Sequence, residues 1–301
     1  MEEKKVTTYI GGGTDIMPLL KYGVRSDTDL VFIKNIPGLD SITHENGCWE
    51  IGAGVTLETI QRSGPLEKAL PALVQAAAST ASPQIRNIAT LGGNLLQDRR
   101  CIYFNQPESW RQGLPLCFKT GGCVCHQIPV SPVCRAIYYS DTATALLAYE
   151  AEAVFEEDGE ERVLPLADLI RRHSVQNGLG WQEHIPLLLK RVRVKDRPDG
   201  EWSAFYKYAM RASIDFPLIN FALSLSPEKA VLAAGAVAPE PVLLPETASL
   251  ILRSEGKDAV VSCCEQELKK LAKPIREALI TPLIKRELYK QVAFLLDDVT
   301  A

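Results

Sequence analysis

The sequence contains no apolar run of the roughly 18 residues that a membrane-spanning helix needs. It also lacks an excess of positive charge, because 33 Lys and Arg stand against 37 Asp and Glu for a net charge of −4, which argues against a nucleic-acid-binding surface. The start MEEKKVTTYIGGG has no apolar segment of the kind found in signal peptides. These absences predict a cytoplasmic globular protein, a setting that disfavours structural disulfides among the eight cysteines.

Histidine is scarce, and the four that occur are scattered at His44, His126, His173 and His184. The sequence shows no serine–histidine–acid set and no persuasive pair of carboxylates, which are the side chains that hydrolytic and acid–base sites require. We therefore expect no substrate-transforming site built from the side chains of this chain alone.

The order of the patterns predicts an α+β protein in two main parts. The first segment reads as a strand, a glycine turn and a short helix, and Thr56 is a plausible N-cap for a helix that follows a strand. The segment VKDRPDGEW (194–202) combines charge, Pro and Gly and is the best domain boundary, giving domains at 1–193 and 194–301. Alternating strands follow it, and the helical tail has a probable break near Pro274.

Two glycine-rich segments could bind an anion. In GGGTD (11–15), three successive glycines leave backbone N–H groups with no Cβ in the way, and the Thr14 hydroxyl could add a hydrogen bond. TLGGN (90–94) is predicted to be a second turn of similar character. Each segment alone could be a simple tight turn that needs positive φ, but two of them would suit a diphosphate held between two loops.

Five of the cysteines fall within residues 101–134, at Cys101, Cys117, Cys123, Cys125 and Cys134. Zinc sites typically use tight C-x2–4-C pairs on both sides of the ion, whereas the only close pair here is Cys123 and Cys125. Four thiolates also suit an iron–sulfur cubane, one for each iron. The residues themselves leave iron–sulfur, zinc and unligated thiols open.

The segments YIGGGTDIMPLL, IGAGVTLETI, SPQIRNIATLGGNL, SDTATALLAYEAE and YKYAMRASIDFPLINFALSL resemble, in order and spacing, the FAD-binding medium subunit of the xanthine dehydrogenase and molybdenum hydroxylase family. The resemblance covers nearly the whole chain. It implies a two-part FAD-binding domain followed by a smaller C-terminal domain of antiparallel sheet and helices, with FAD bound by two loops, an acidic residue and a lysine near the flavin. The matching positions are Ile10, Gly11, Gly12, Gly13, Thr14, Asp15, Ile16, Thr90, Leu91, Gly92, Gly93, Asn94, Asp141 and Lys207.

An insertion at about 97–139 separates the TLGGN segment from Asp141. Its cysteine spacing resembles that of 4-hydroxybenzoyl-CoA reductase beta subunits, which implies a [4Fe–4S] cluster held by Cys101, Cys117, Cys125 and Cys134. Cys123 could replace Cys125, although the match at CH (125–126) favours Cys125. Cys48, Cys263 and Cys264 are most simply small packing residues.

The resemblance implies an electron-transfer subunit of a molybdenum oxidoreductase, with a molybdopterin-binding large subunit and a [2Fe–2S] small subunit as partners. Electrons would pass between molybdenum and an external carrier such as ferredoxin or NAD. Reduction of an aromatic acyl-CoA is the leading context, and oxidative hydroxylation of the xanthine, aldehyde or CO dehydrogenase type is the alternative. Because only nine residues precede Ile10, a flavin-free assembly subunit is a second hypothesis, and a zinc-containing FAD enzyme that uses NAD or oxygen directly is a third.

Overall fold

A computed structural model describes residues 7–25, 29–178, 187–198, 200–277 and 280–299, and His184 lies outside them. The strands are β1 Thr7–Ile10, β2 Asp29–Phe32, β3 Ile42–Glu45, β4 Cys48–Gly52, β5 Glu152–Glu157, β6 Glu160–Pro165, β7 Leu188–Lys195, β8 Trp202–Tyr208, β9 Ile219–Leu225, β10 Ala230–Gly235 and β11 Val242–Leu243. The α-helices are α1 Ile16–Lys21, α2 Leu57–Gln61, α3 Gly64–Ala69, α4 Pro71–Ser79, α5 Pro83–Arg86, α6 Leu91–Leu95, α7 Glu108–Arg111, α8 Asp141–Ala148, α9 Leu166–Gly178, α10 Pro245–Leu252, α11 Lys257–Leu271, α12 Pro282–Glu287 and α13 Val292–Val299.

The first part of the chain is built on an antiparallel five-stranded sheet of order β3-β4-β7-β5-β6. One hydrophobic core lies against this sheet and takes apolar side chains from helices α2, α3, α4, α6, α8 and α9. Helix α4 is rich in alanine, a strong helix former, and begins with a proline at its first position, where no N–H partner is lost. Strands β1 and β2 form a separate two-stranded parallel sheet that leads into the glycine turn.

The second part is an antiparallel four-stranded sheet of order β11-β10-β9-β8. The central strand β9 reads INFALSL and is buried along nearly its whole length, as expected for a strand paired on both sides. A second core joins this sheet to α10, α11 and α13. Helices α4 and α8 also contact the second sheet, so they lie between the two parts.

The architecture confirms the α+β prediction. Thr56 caps α2 by accepting a hydrogen bond from the backbone N–H of Thr59 at 3.1 Å, and the C-terminal helices are interrupted between Leu271 and Pro282, around Pro274. The predicted boundary falls where the first sheet ends at Lys195 and the second begins at Trp202, and it stays a prediction. Within the described ranges, no helix combines the length and apolar character that crossing a bilayer requires.

Candidate flavin and thiol sites

The glycine turn Gly11–Gly13 touches the backbone before α6. A Cβ on Gly12 would lie 2.1 Å from the carbonyl oxygen of Ile88, and a Cβ on Gly11 would lie 2.3 Å from Oγ1 of Thr90. Gly13 has a φ of +70°, a conformation that favours glycine. The two segments can therefore approach this closely only because the turn has no side chains.

The TLGGN segment is the start of a short helix, where the sequence predicted a turn. Thr90 is the N-cap of α6, and its Oγ1 accepts a hydrogen bond from the backbone N–H of Gly93 at 3.1 Å. Gly92 packs on Ala53, since a Cβ at this glycine would lie 2.8 Å from the Ala53 Cβ. The capping Thr allows a helix to begin here despite two glycines, which on their own weaken helices.

The two segments enclose a cavity of about 110 Å³, which we call the glycine cavity. Predicted residues that line it are Ile10, Gly11, Gly12, Gly13, Thr14, Asp15, Ile16, Thr90, Gly92 and Gly93. Leu91 is fully buried behind the cavity wall, and Asn94 does not line it. Whole-ligand sites usually measure about 300–1,000 Å³, so this space fits the diphosphate part of a dinucleotide.

The sequence reasoning missed Arg25, Gln97 and Asp98 in the lining of the glycine cavity. Arg25 supplies a cation that suits a diphosphate, and its NH2 group lies 3.4 Å from Oγ1 of Thr8. The bare glycine backbone and this arginine together fit the phosphate groups of FAD. No sequence signal marked Arg25, because it reaches the cavity from the segment after α1.

Asp15 connects the glycine turn to the insertion. Its Oδ1 accepts a hydrogen bond from the guanidinium of Arg100 at 2.5 Å, and its Oδ2 accepts one from the backbone N–H of Asp98 at 3.3 Å. Both oxygens of the Asp15 carboxylate therefore bind the start of the insertion. A phosphate would bind the neighbouring backbone N–H groups of the glycine turn instead.

Asp141 and Lys207 pair with each other away from the glycine cavity. The Lys207 ammonium lies 2.9 Å from Oδ2 of Asp141 and also donates to the carbonyl of Ser79 at 2.9 Å. Asp141 is 1% exposed and accepts a further hydrogen bond from the Asn220 amide at 2.6 Å. Burial raises the pKa of the Asp141 carboxyl, and Lys207 and Asn220 offset part of that rise. The pair joins α8 to β8 across the two parts of the chain.

Asn94 is held beside this pair. Its Oδ1 accepts hydrogen bonds from the hydroxyls of Ser140 and Thr142, both at 2.6 Å. Asn94 therefore fixes the end of α6 against the first turn of α8. The predicted FAD-binding residues therefore fall into two groups. Most of them line the glycine cavity, whereas Asn94, Asp141 and Lys207 belong to a buried polar group behind it.

The insertion forms a closed loop with a narrow neck. Arg100 and Ile137 exchange two backbone hydrogen bonds, of 2.8 and 2.9 Å, and form an antiparallel bridge. Inside the loop, Cys117 forms a parallel bridge with Val124, which brings the segments of Cys117 and Cys125 side by side. This pairing positions cysteines that are eight residues apart on neighbouring segments.

The four predicted ligands Cys101, Cys117, Cys125 and Cys134 line one small cavity of about 20 Å³, which we call the thiol cavity. Cys123 is exposed and does not line it. Burial raises the pKa of the Cys101 thiol, and the nearby Cys134 raises it further. All eight cysteines are free thiols.

The spacing of the thiols bears on the kind of metal that they could hold. Among the described residues, no three His, Cys, Asp or Glu side chains are grouped closely enough for a single metal ion. Four sulfurs around one zinc ion would lie about 3.8 Å apart, given Zn–S bonds of about 2.3 Å. A cubane places each thiolate on a different iron, so its sulfurs stand further apart. The four thiols share one cavity lining, which is the observation that bears on a metal group here.

A buried ion pair connects the two cavities. The Lys119 ammonium lines the thiol cavity, contacts a carboxylate oxygen of Asp98 and donates to the carbonyl of Arg99 at 2.8 Å. Asp98 lines the glycine cavity. Burial would raise the pKa of Asp98, but the charges of Lys119 and Arg25 hold it below its ordinary value. Burial lowers the pKa of Lys119, and Asp98 offsets part of that change.

Phe104 and His126, two further residues of the insertion, contribute to its packing. Phe104 is 2% exposed, lies under the Lys119 ammonium at 4.1 Å and belongs to a small core with Leu19 and Val24. His126 lies 2.8 Å from the carbonyl oxygen of Pro115 through Nε2. Both residues also line the thiol cavity, so they contribute to its walls.

Residues 1–183 match the family model described as the FAD binding domain in molybdopterin dehydrogenase. The aldehyde oxidoreductase FAD-binding subunit PaoB of Escherichia coli strain K12 is 30% identical over 270 residues, covering 84% of this chain and 80% of that protein. The xanthine dehydrogenase FAD-binding subunit of Escherichia coli O157:H7 is 27% identical over 239 residues, covering 77% and 68%. A chain of quinoline 2-oxidoreductase from Pseudomonas putida 86 superposes with a TM-score of 0.70 over 95% of this chain and 86% of that one, at 18% identity, which shows the fold.

Proposed function

Because the chain belongs to the family of FAD-binding domains of molybdopterin dehydrogenases, we propose that it relays electrons between molybdenum on a partner subunit and an external carrier such as ferredoxin or NAD. The chain is a subunit of an oxidoreductase complex of the molybdenum hydroxylase family. In our proposal its own cofactors are FAD and a [4Fe–4S] cluster. When bound, the flavin would exchange electrons singly or in pairs, and the cluster would exchange them one at a time.

The observation that carries the flavin assignment is the contact between Gly12 and the Ile88 carbonyl, which leaves bare backbone facing the glycine cavity. The exposed N–H groups of the turn can donate to phosphate oxygens, and Arg25 can offset their charge. The Asp141–Lys207 pair, which the family resemblance put near the flavin, would act from behind by fixing α8 against β8. Asp141 and Lys207 would position the site rather than touch the diphosphate.

The observation that supports the cluster is that Cys101, Cys117, Cys125 and Cys134 share one cavity while Cys123 does not. The chain would supply four thiolates and apolar walls from Phe104 and Phe118 that limit water. The positive charge of Lys119 would offset part of the negative charge of four thiolates. The two Escherichia coli relatives reported above are described as FAD-binding subunits, which favours FAD as the flavin of this chain.

The proposed partners are a molybdopterin-binding large subunit and a [2Fe–2S] small subunit, and the cytoplasm remains the predicted compartment. For the reaction of the complex we propose reduction of an aromatic acyl-CoA of the 4-hydroxybenzoyl-CoA type, on the strength of the cysteine spacing. Oxidative hydroxylation is the second candidate, and it is favoured by the aldehyde and xanthine enzymes among the relatives. Assaying the purified complex in both directions separates them: a strong low-potential donor with 4-hydroxybenzoyl-CoA, against a dye acceptor with aldehydes or xanthine.

The cofactor proposal is tested by anaerobic purification, a visible spectrum, and quantification of flavin, iron and zinc. We expect about one flavin and four irons per chain. Cys117→Ser should lower the iron content and leave flavin largely in place, whereas Cys123→Ser, the matched control, should retain both. Equal iron in the two variants would contradict the ligand assignment, and stoichiometric zinc without iron would favour the zinc-containing alternative. A colourless protein from iron-replete cells would support a flavin-free assembly subunit.

A further inference from the structure

Another cavity shares Cys134 in its lining with the thiol cavity. It measures about 300 Å³ and lies where the insertion, α9 and the second part of the chain meet. Four cations line it, Arg99, Arg135, Arg171 and Lys273, together with the single carboxylate of Glu240. We call it the basic cavity. Neither the flavin site nor the thiol site uses these side chains.

Arg99 is the unusual member of this group. Its side chain is buried, with the residue 3% exposed, and its Nε has no hydrogen-bond partner. Among the described residues no carboxylate lies within ion-pair distance of its guanidinium, and its charge acts on Glu240 and Asp98 only at longer range, where it lowers their pKa values. Leaving a buried charge unpaired is costly, and proteins usually pair such groups or bind an ion to them. An arginine held in this way is a built donor for an anion.

The other charges do not neutralise the basic cavity. Arg171 is shared by two carboxylates, with Asp168 at 3.1 Å and Glu240 at 3.6 Å. Arg135 donates from Nε to the hydroxyl of Ser131 at 2.7 Å, which leaves its charge uncompensated by any acid in the described part of the chain. The cavity therefore carries an excess of positive charge.

Most of the remaining lining is apolar, apart from the hydroxyl of Ser174. Phe118, Val133, Val242 and Leu271 contribute side chains around the cations. A volume of about 300 Å³ is at the lower end of the range for small-ligand sites. A site with apolar walls and a few convergent cations suits a compact molecule that carries one anionic group on an apolar body.

We propose that the basic cavity binds a small organic anion, a carboxylate or a phosphate monoester, with its charged group on Arg99 and its apolar part against Phe118 and Leu271. The anion would connect the insertion, through Arg99 and Arg135, to α9 through Arg171. The site needs neither flavin nor iron, so it stands or fails independently of the proposed function.

The test uses three probes on the full chain at constant ionic strength: inorganic phosphate, phenyl phosphate and benzoate. Calorimetry and thermal unfolding should show saturable binding of one phenyl phosphate or benzoate per chain below roughly 10 mM. The phenyl ring should tighten binding at least about tenfold over inorganic phosphate because it buries apolar surface. The stronger of the two aromatic probes identifies the anionic group. No saturable binding of either aromatic probe would overturn the proposal.

Single substitutions test which side chains of the basic cavity bind the anion. Arg99→Met should weaken binding at least about thirtyfold, because a buried charged partner is lost. Without a probe, this variant should unfold at a temperature no lower than the wild type, since it removes an unpaired buried charge. Arg253→Gln, at an exposed position that lines none of the cavities, removes the same charge and should bind like the wild type.

If Arg99→Met does not fold, Arg135→Gln tests the site independently. This variant should weaken binding of the aromatic anion several-fold. Wild-type affinity in a folded Arg99→Met protein, or in Arg135→Gln when Arg99→Met cannot be obtained, would overturn the proposal. An equal loss of affinity in Arg253→Gln would do the same, because the effect would then be one of overall charge.

Discussion

The buried pair of Lys119 and Asp98 allows a sharp test of the link between the two cavities. Both side chains are almost fully buried, at 3% and 8% exposure, and the pair lies between the thiol cavity and the glycine cavity. Lys119→Met keeps much of the side-chain volume and removes the charge. The variant removes the Lys119 partner of the buried Asp98 and leaves the charges of Arg25 and Arg99 acting on it. Loss of one partner of a buried ion pair typically costs about 3–5 kcal/mol in the free energy of unfolding.

The size of this loss depends on pH because Asp98 can escape its unpaired charge by binding a proton. Protonating a carboxyl with an ordinary pKa of 3.8 costs about 4.4 kcal/mol at pH 7 and about 1.6 kcal/mol at pH 5. These values are upper limits on the part of the loss in unfolding free energy that comes from the unpaired charge of Asp98. In the variant we expect burial to outweigh the remaining charges of Arg25 and Arg99 and to raise the folded pKa of Asp98 above its unfolded value. The stabilising contribution of the neutral acid is then present at low pH and is lost as pH rises.

The wild type behaves in the opposite way. The pKa of Asp98 is held below 3.8, so its contribution to stability is fully present above pH 4 and is lost only as pH falls below that value. The difference between wild type and Lys119→Met should therefore grow by up to about 1.4 kcal/mol per pH unit between pH 5 and pH 7.

Urea unfolding of the two proteins at pH 5, 6 and 7, with a chelator present so that metal content is constant, measures this difference. The double variant with Asp98→Asn should recover part of the stability and show no pH slope. Lys229→Met, which breaks an exposed ion pair with Glu150, is the matched control and should cost less than about 1 kcal/mol. A small, pH-independent loss in Lys119→Met would refute the reasoning, because it would mean that the pair is hydrated.

The other predictions concern close contacts. Gly12→Ala places a Cβ 2.1 Å from a backbone oxygen, so it should cost about 1–3 kcal/mol and lower the flavin content of the purified protein, whereas Gly64→Ala, with open space around it, should change neither. Gly122→Ala places a Cβ 1.8 Å from a backbone oxygen beside the Cys117 segment and should lower iron content more than flavin content in a metal and flavin assay. Tyr149→Phe leaves the buried N–H of Ala72 without its acceptor and should cost about 1–3 kcal/mol in urea unfolding.

Local signals in the sequence were sufficient for the elements whose causes are local. The Thr56 cap and the break near Pro274 depend on neighbouring residues and were predicted correctly. The TLGGN segment was predicted as a turn because its two glycines outweighed Thr90 in the pattern, whereas in the fold Thr90 caps a helix and Gly92 packs against Ala53. That contact joins segments about forty residues apart, and no local pattern could reveal it.

The same contrast between local signals and long-range contacts applies to the candidate sites. The family resemblance singled out Cys101, Cys117, Cys125 and Cys134, and these four line one cavity, while their role as ligands stays a prediction. Arg25 and Lys119 gave no signal, because their roles come from partners brought near by the fold. Lys119 reads in the sequence as one more surface lysine, and only its burial against Asp98 identifies it as part of the site.

The hydrogen bonds around the insertion neck make the two cavities parts of one polar unit. Asp15 holds Arg100 and the backbone of Asp98, and Asp98 in turn holds Lys119 at the wall of the thiol cavity. The bond to Arg100 reaches the neck of the insertion, the bond between Asp15 and Asp98 lies within the lining of the glycine cavity, and the Asp98–Lys119 pair joins the two cavities. A change in the charge of the thiol cavity would therefore act on Lys119 and, through Asp98, on the glycine turn. The insertion is thus joined to the glycine turn by hydrogen bonds, so the proposed phosphate contacts and the proposed thiolate ligands would be coupled through Asp98 and Lys119.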